Sequence, residues 1–384
     1  MNNSRRQAAF IFAKWLATRD FPETMLPSSP DRAFIQDLTY AAIRRWRPLK
    51  AVLSKLMRTW PKGELESLLY IGAAQILYMP SVPDFAAVSE TVNAAKECDN
   101  PNIPKVVNGV LRNLIRRREE LEAMVAREPL AVRESFPDEL VARWIERFGM
   151  ENTKRLCEYH NEPAETFLSF KDGTFRNLAR GRKVTEEPGF AVGEFIVQDP
   201  GTKTAIELME VKTGEKVLDA CAAPGGKSIQ LKWRGADLTA CEVNPRRRRK
   251  LAENLKRVKL DGEVKVIGSL DEAADGTFDK VLVDAPCSNT GVLRRRVDAR
   301  WNWDLAKLKS LTVLQAEILA EAAQKVKQGG LLTYSTCSLE YEENEAQVER
   351  FLKNHPEAEL VRCETSLPFE SKVDGAFAAT IRIL

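Results

Sequence analysis

The sequence predicts a multidomain chain: an N-terminal all-α bundle, a small α+β connector and a C-terminal α/β domain on a doubly wound parallel sheet. Three observations carry this. The 384 residues exceed what one ordinary core organises. Residues 1–125 repeat apolar positions at helical spacing with no strand-like alternation. From about residue 200, strand-like and helix-like segments alternate, the rhythm of a parallel sheet with crossover helices. The domain boundaries expected are therefore 1–125, 126–195 and 196–384.

In "DRAFIQDLTYAAIRRWRPLKAVLSKLM" the apolar positions Phe34, Leu38, Ala41, Ile43 and Trp46 approximate one helical face. "VPDFAAVSETVNAAKECD" begins after a proline with an acid in its first turn, and "IPKVVNGVLRNLIRRR" presents Val106, Val110, Leu111 and Leu114/Ile115. In the connector, residues 135–149 read as a helix ending at Gly149, 165–171 as a short strand, and "GFAVGEFIVQDPG" as extended chain. Beyond it, "EKVLDA", "ADLTACEV", "EVKVIG", "FDKVLVDA" and "LLTYSTC" read as strands. "GKSIQLKW" and "PRRRRKLAENLKRV" read as helices, as does 305–327, which is expected to stop at Gly329–Gly330. "AELVRC" and "AFAATIRIL" are expected to close the sheet as a hairpin.

Composition narrows the function classes. The longest apolar stretch, residues 68–79, is interrupted by Gln75 and falls short of the roughly 20 residues of a membrane span. "RRQAAFIFAKWLATRD" reads as an amphipathic helix rather than a signal peptide, because Lys14 and Arg19 break its apolar run. A cytoplasmic protein is expected. Seven scattered cysteines without a C-x-x-C pair, and only two histidines, speak against a disulfide scaffold or a zinc site; no metal is expected. Proton transfer then falls to carboxylates, cysteine or lysine. Net charge is +3, with 18 Lys/Arg against 13 Asp/Glu through residue 125. Beyond it lie "RRRRK" at 246–250 and Arg294, Arg295 and Arg296. Such runs are ordinarily solvated faces; beside a catalytic loop they suit phosphates.

"VLDACAAPGGKS" (217–228) is a strand, a glycine turn and a helix start. Glycine lets backbone approach a ligand, and helix-start amides favour an anion. Glu242 lies 23 residues after Asp219, where an acid binds a ribose diol. The turn is neither G-x-G-x-x-G nor a P-loop, and alone it also fits an ordinary α/β turn. With Glu242 it suits a nucleoside bearing an amino-acid tail, S-adenosyl-L-methionine. The cofactor contacts expected are Asp219, Cys221, Ala222, Ala223, Pro224, Gly225, Gly226, Lys227 and Glu242.

Asp219, Glu242, Asp284 and Cys337 fall at or just past strand ends, and Cys287 three residues past one. Carboxyl ends of strands are where doubly wound sheets bind ligands. If 279–284 and 331–336 are neighbours, both thiols face one cleft. A disulfide or two inert buried thiols are the structural alternatives. Chemistry explains more. C5 of cytosine is a poor nucleophile; a thiolate adding to C6 makes C5 enamine-like, and protonating N3 assists. Methyl transfer and loss of the C5 proton then expel the thiolate. Asp284 suits the acid at N3, more so with a raised pKa. Spacing alone does not say which cysteine attacks.

"DACAAPGGKS", "DAPCSNTGVLRRR" and "YSTCSLEYEENE" together resemble the RNA (cytosine-5)-methyltransferase family of Sun/Fmu type. "DRAFIQDLTYAAIRRWRPL" and "VPDFAAVSETVNAAK" with "VVNGVLRNLIRR" resemble the NusB-like RNA-binding domain of its bacterial small-subunit rRNA branch. The resemblance implies a Rossmann-like S-adenosylmethionine-dependent methyltransferase domain at 196–384. It implies Cys337 as nucleophile, Cys287 in product release, Asp284 contacting base and cofactor, and Lys227 in the active site. The family's third strand usually ends in a Gly-Asp pair that contacts adenosine. Here Ser269 stands in that place with Asp271 two residues on, and one of them is expected to make the contact.

The resemblance implies 5-methylcytosine formation in RNA, most simply small-subunit (16S) rRNA. RNA is the expected partner of a monomer, gripped by Arg294, Arg295 and Arg296 and contacted by the connector. The same chemistry on tRNA is an alternative. A non-catalytic RNA-binding ribosome-assembly factor is another, favoured only by the Gly-Ser departure.

Overall fold

The computed structural model describes residues 3–179 and 181–384. The chain forms two compact units. The first holds Met1–Glu162 with the short segment Leu293–Asn302; the second holds Pro163–Val292 and Trp303–Leu384.

The first unit is helical. Through residue 126 its α-helices are Ser4–Thr18, Arg32–Arg44, Trp46–Leu56, Glu64–Tyr78, Asp84–Ala95, Ile103–Arg116 and Arg118–Ala126. Asn3 caps the first by accepting from the Arg5 and Arg6 amides, which satisfies helix-start donors. The apolar run 68–79 lies mainly in Glu64–Tyr78, where every residue from Ser67 to Ile76 is buried. A helix apolar all round belongs at the centre of a core. Gly72 permits this packing, since a Cβ there would stand 2.5 Å from Leu111 Cδ1. Among the described residues no helix is long and apolar enough to cross a membrane.

The residues expected to form one connector, 126–195, are divided between the units. Helices Leu130–Glu134, Asp138–Phe148 and Met150–Asn161 belong to the first. Arg45 Nη1 lies 3.1 Å from Glu134 Oε2, and Arg47 Nη1 donates to the Phe136 carbonyl at 2.6 Å. These long-range ties leave no mark in local periodicity.

The second unit begins with a three-stranded antiparallel sheet, order β2-β1-β3, made of β1 (Thr166–Phe170), β2 (Phe175–Leu178) and β3 (Phe195–Val197). Seven further strands form the main sheet: β4 (Lys216–Asp219), β5 (Asp237–Cys241), β6 (Lys265–Ile267), β7 (Phe278–Asp284), β8 (Val326–Thr336), β9 (Ala358–Ser366) and β10 (Ala376–Ile383). Their order is β6-β5-β4-β7-β8-β10-β9. The first five are parallel, and β10 runs antiparallel to both β8 and β9. Val217 and Leu282 pack with helices Gly226–Trp233 and Pro245–Arg257 on one face. Leu218, Val281 and Val283 pack with Leu305–Lys325 and Glu345–Asn354 on the other. The chain moves outward from β4 through β5 and β6, then returns to β7 on β4's other side. That reversal opens a crevice at the carboxyl ends of β4 and β7.

The glycine pair after the long helix has another role than expected. The helix ends at Lys325, and Gly329–Gly330 lie inside β8. Phe278 pairs with Val326 but Lys280 with Leu331, so the extra β8 residues bulge. Gly329, at φ +75°, supplies the left-handed turn this requires.

Candidate active site

Each strand that meets the crevice delivers one reactive side chain. β4 ends at Asp219, whose Oδ2 accepts from Ser228 Oγ at 2.6 Å and Oδ1 from the Cys221 amide at 3.4 Å. Burial pushes the Asp219 carboxyl up to about 6, with Ser228 opposing. The turn after it is braced from outside. The Ala222 amide donates to the Cys241 carbonyl at 2.9 Å, Arg247 Nη2 to the Ala223 carbonyl at 3.0 Å, and Asn254 Nδ2 to the Pro224 carbonyl at 2.8 Å. Gly225 has φ +107°, and a Cβ there would meet Leu251 Cδ1 at 2.8 Å. Burial holds the Cys221 thiol far above its ordinary range.

β7 ends at Asp284, and its neighbour β8 supplies Ser335. Asp284 Oδ2 lies 2.8 Å from Lys227 Nζ, and Oδ1 accepts from Ser335 Oγ at 2.9 Å. Burial lowers the Lys227 pKa, but the charge and hydrogen bond of Asp284 outweigh it and the ammonium is favoured. The thiols follow. Cys287 Sγ and Cys337 Sγ stand 3.3 Å apart as free cysteines, not as a disulfide. Cys337 Sγ donates to Asn289 Oδ1 at 3.3 Å, while Asn289 Nδ2 donates to the Cys287 carbonyl at 2.8 Å. The hydrogen bond with Cys337, then burial, hold the Cys287 thiol well above its ordinary range.

Residues 206–383 match the family model described as 16S rRNA methyltransferase RsmB/F, and residues 2–116 match the NusB family. The chain is 31% identical over 424 residues to ribosomal RNA small subunit methyltransferase B of Serratia proteamaculans, spanning 99% of this chain and 98% of that protein. The Yersinia enterocolitica protein of the same name is 30% identical over 426 residues, with the same coverage. The chain belongs to the RsmB/F family.

As a member of the RsmB/F family it is an S-adenosylmethionine-dependent rRNA methyltransferase. Its fold is shared with the crystal structure of PH0851, at TM-score 0.78, 20% identity and 99% coverage of both chains. A methyltransferase homologue from Pyrococcus horikoshii aligns at TM-score 0.58 and 24% identity over 66% of this chain and 98% of that one.

The residues around the RsmB/F glycine turn fit that cofactor. Glu242 is 4% exposed, just past β5, with Oε1 accepting from the Asn244 amide at 2.9 Å and Arg247 Nε 3.4 Å from Oε2. Gln198 faces Gly226, where a Cβ would lie 3.2 Å from its Nε2. Its buried Oε1 has no hydrogen-bond partner within the protein. An orphaned acceptor beside a turn that admits no side chain suits a polar ligand. Bound S-adenosylmethionine supplies the methyl group; Glu242 and the 219–227 turn would hold it.

Ser269 caps the short turn Leu270–Glu272 beyond β6. Its Oγ accepts from the Asp271 amide at 3.2 Å and donates to Asp271 Oδ2 at 2.9 Å, while Glu272 Oε1 accepts from the Gly268 and Ser269 amides at 2.7 and 3.0 Å. The two candidates for the adenosine contact thus bond each other, while Glu272 closes the capping box with Ser269.

Within the arginine run, Arg294 departs from expectation. Leu293–Asn302 is part of the helical unit. Arg294 is 3% exposed, with its guanidinium 4.5 Å above the Tyr159 ring, and Arg296 stacks on Phe21 at 4.3 Å beside Asp298. Arg295 between them is partly exposed. The cause is the rest of the segment. Val297 joins the helical core. Arg300 is fully buried, donating to the Ser135 and His160 carbonyls at 3.2 and 3.1 Å and to Asn161 Oδ1 at 3.0 Å. Trp301 Nε1 donates to the Ile43 carbonyl at 3.2 Å. An anchored segment leaves Arg294 no surface for a phosphate.

Sequence reasoning missed Gln198, Asn289, Ser335 and Glu343. Asn289, Ser335 and Glu343 lie inside the motifs quoted above, but only their contacts in the fold single them out, as they do Gln198.

Proposed function

We propose that the protein methylates C5 of a cytosine in small-subunit (16S) rRNA through a covalent thiolate–C6 adduct. The observation that carries this reading is the pair of thiols 3.3 Å apart beside the Lys227–Asp284 ion pair. Cys337 adds to C6, forming an S–C bond as N3 takes a proton. Asp284 holds Lys227, so that proton draws on the lysine–carboxylate pair rather than on a lone carboxylic acid. C5, now enamine-like, accepts the methyl group. Loss of the C5 proton restores the C5=C6 bond and expels the Cys337 thiolate, and N3 returns its proton to the Lys227–Asp284 pair.

By the family resemblance Cys287 serves product release, and it stands 3.3 Å from the Cys337 sulfur that leaves. The target base must be unstacked to reach the crevice.

Wild type, Cys287→Ala and Cys337→Ala are incubated with S-adenosylmethionine and unmethylated small-subunit rRNA. Cys287→Ala is expected to accumulate a denaturation-resistant protein–RNA adduct, and Cys337→Ala none. Trapping by Cys337→Ala reverses the two roles. No trapping and no methyl transfer by wild type defeats the covalent reading.

A further inference from the structure

Behind the two thiols lies a buried carboxylate that the reaction above does not use. Glu343 is wholly inaccessible and ends the short turn Tyr341–Glu343 beyond β8. Its Oε2 accepts from the hydroxyls of both Ser288 and Ser338. Its Oε1 accepts from the Ser288 amide at 2.9 Å and from Gln315 Nε2 at 3.0 Å. Ser288 follows Cys287, and Ser338 follows Cys337. One carboxylate oxygen therefore bridges the residues next to the two thiols.

The network around it is directional. Ser338 spends its hydrogen on Glu343, so Thr290, 3.2 Å away, donates to Ser338 and in turn accepts from the Leu339 amide at 2.9 Å. Gln315 Nε2 also donates to the Pro286 carbonyl at 2.9 Å, and Gln347 Nε2 to Gln315 Oε1 at 3.1 Å. The Tyr334 hydroxyl donates to the Glu343 carbonyl at 2.7 Å. Only an acceptor with two oxygens takes four donors from three directions. An apolar side chain here would leave the Ser288, Ser338 and Gln315 donors buried without an acceptor, so the carboxylate is what holds these groups in one arrangement.

We propose that Glu343 is a positioning residue that sets the distance and facing of Cys287 and Cys337 through Ser288 and Ser338. This rests on the covalent reading above. Cys287 and Cys337 stand on loops from different strands, and in that cycle one bonds the ring while the other serves its release. A misplacement of 1 Å between reacting groups costs on the order of 10²-fold in rate.

The test is Glu343→Gln, which keeps one acceptor oxygen and turns an amide toward former donors. In the protein alone, diamide takes two electrons and two protons from the thiols, and mass analysis follows the Cys287–Cys337 disulfide. Its formation is expected to slow by about tenfold or more. Methyl transfer should fall likewise through kcat, with the KM for S-adenosylmethionine unchanged. Ser288→Ala combined with Ser338→Ala should reproduce the effect, and adding Glu343→Gln should deepen it little. A wild-type disulfide rate in Glu343→Gln, or fully additive effects, overturns the proposal. If Glu343→Gln does not fold, the double serine variant decides by the same rate. If the thiol result holds but wild type transfers no methyl group to cytosine C5, the covalent reading has failed and the positioning of the thiols stands.

Discussion

Lys227 Nζ lies 2.8 Å from Asp284 Oδ2, joining the helix start after β4 to the end of β7 across the crevice where the sheet's connections diverge. The lysine side chain is 15% exposed and the aspartate 34%, so the carboxylate is the more open member of the pair.

Lys227→Met removes the ammonium proposed to carry the N3 proton and leaves Asp284 with Ser335 alone. Single-turnover methyl transfer is expected to fall by about 10²- to 10⁴-fold, the usual worth of positioned acid–base catalysis. Affinity for S-adenosylmethionine, read by calorimetry, should change far less. A variant within threefold of the wild-type rate would remove the pair from the mechanism.

Asp219 makes stability depend on pH. Its carboxyl is raised from an ordinary 3.8 to about 6, chiefly by burial. Below pH 3.8 both folded and unfolded chains hold this proton, and its contribution is fully present. As pH rises the unfolded chain releases it first, so that contribution is lost by the time pH passes 6. Two units correspond to roughly 3 kcal/mol. Asp219→Asn does not titrate. Urea unfolding at pH 4 and pH 7 should therefore shift in the variant's favour, relative to wild type, by about that amount. A difference that stays flat across the interval contradicts the assignment.

The anchored segment separates two readings of the arginine run. Arg300→Met strips donors from three buried acceptors, the Ser135 and His160 carbonyls and Asn161 Oδ1, at about 1–3 kcal/mol each. A fall of several degrees in thermal unfolding is expected. Arg294→Ala should leave the salt dependence of rRNA binding unchanged, because its guanidinium is spent on Tyr159. A phosphate contact would lower the salt slope by about 1.

The sheet was legible because its strands are short apolar runs set between turn and helix signals. "KVLD", "KVLVD" and "LLTYST" announce buried parallel strands, and the order of strands and helices implies which ends share a crevice. Gly329–Gly330 misled because a glycine pair that stops a helix and one that bulges a strand look alike until the partner strand is known. Arg294 misled for a related reason. Three consecutive arginines signal charge, whereas the burial of Val297 and Arg300 just beyond them decides where that charge points.

By itself, the sequence determined the helical first part, the doubly wound sheet, the family, and the strand-end positions of Asp219, Glu242, Asp284, Cys287 and Cys337. These follow from local periodicity and from chemistry carried by residue type at fixed spacing. Only the tertiary structure decided that the two sulfurs stand 3.3 Å apart, that Lys227 serves Asp284, and that Glu343 joins Ser288 to Ser338. It also decided that residues 293–302 leave the sheet domain for the helical core. Those are contacts between residues tens to hundreds of positions apart. They depend on the register of β7 against β8 and on the burial of each polar group, neither of which leaves a local trace in the chain.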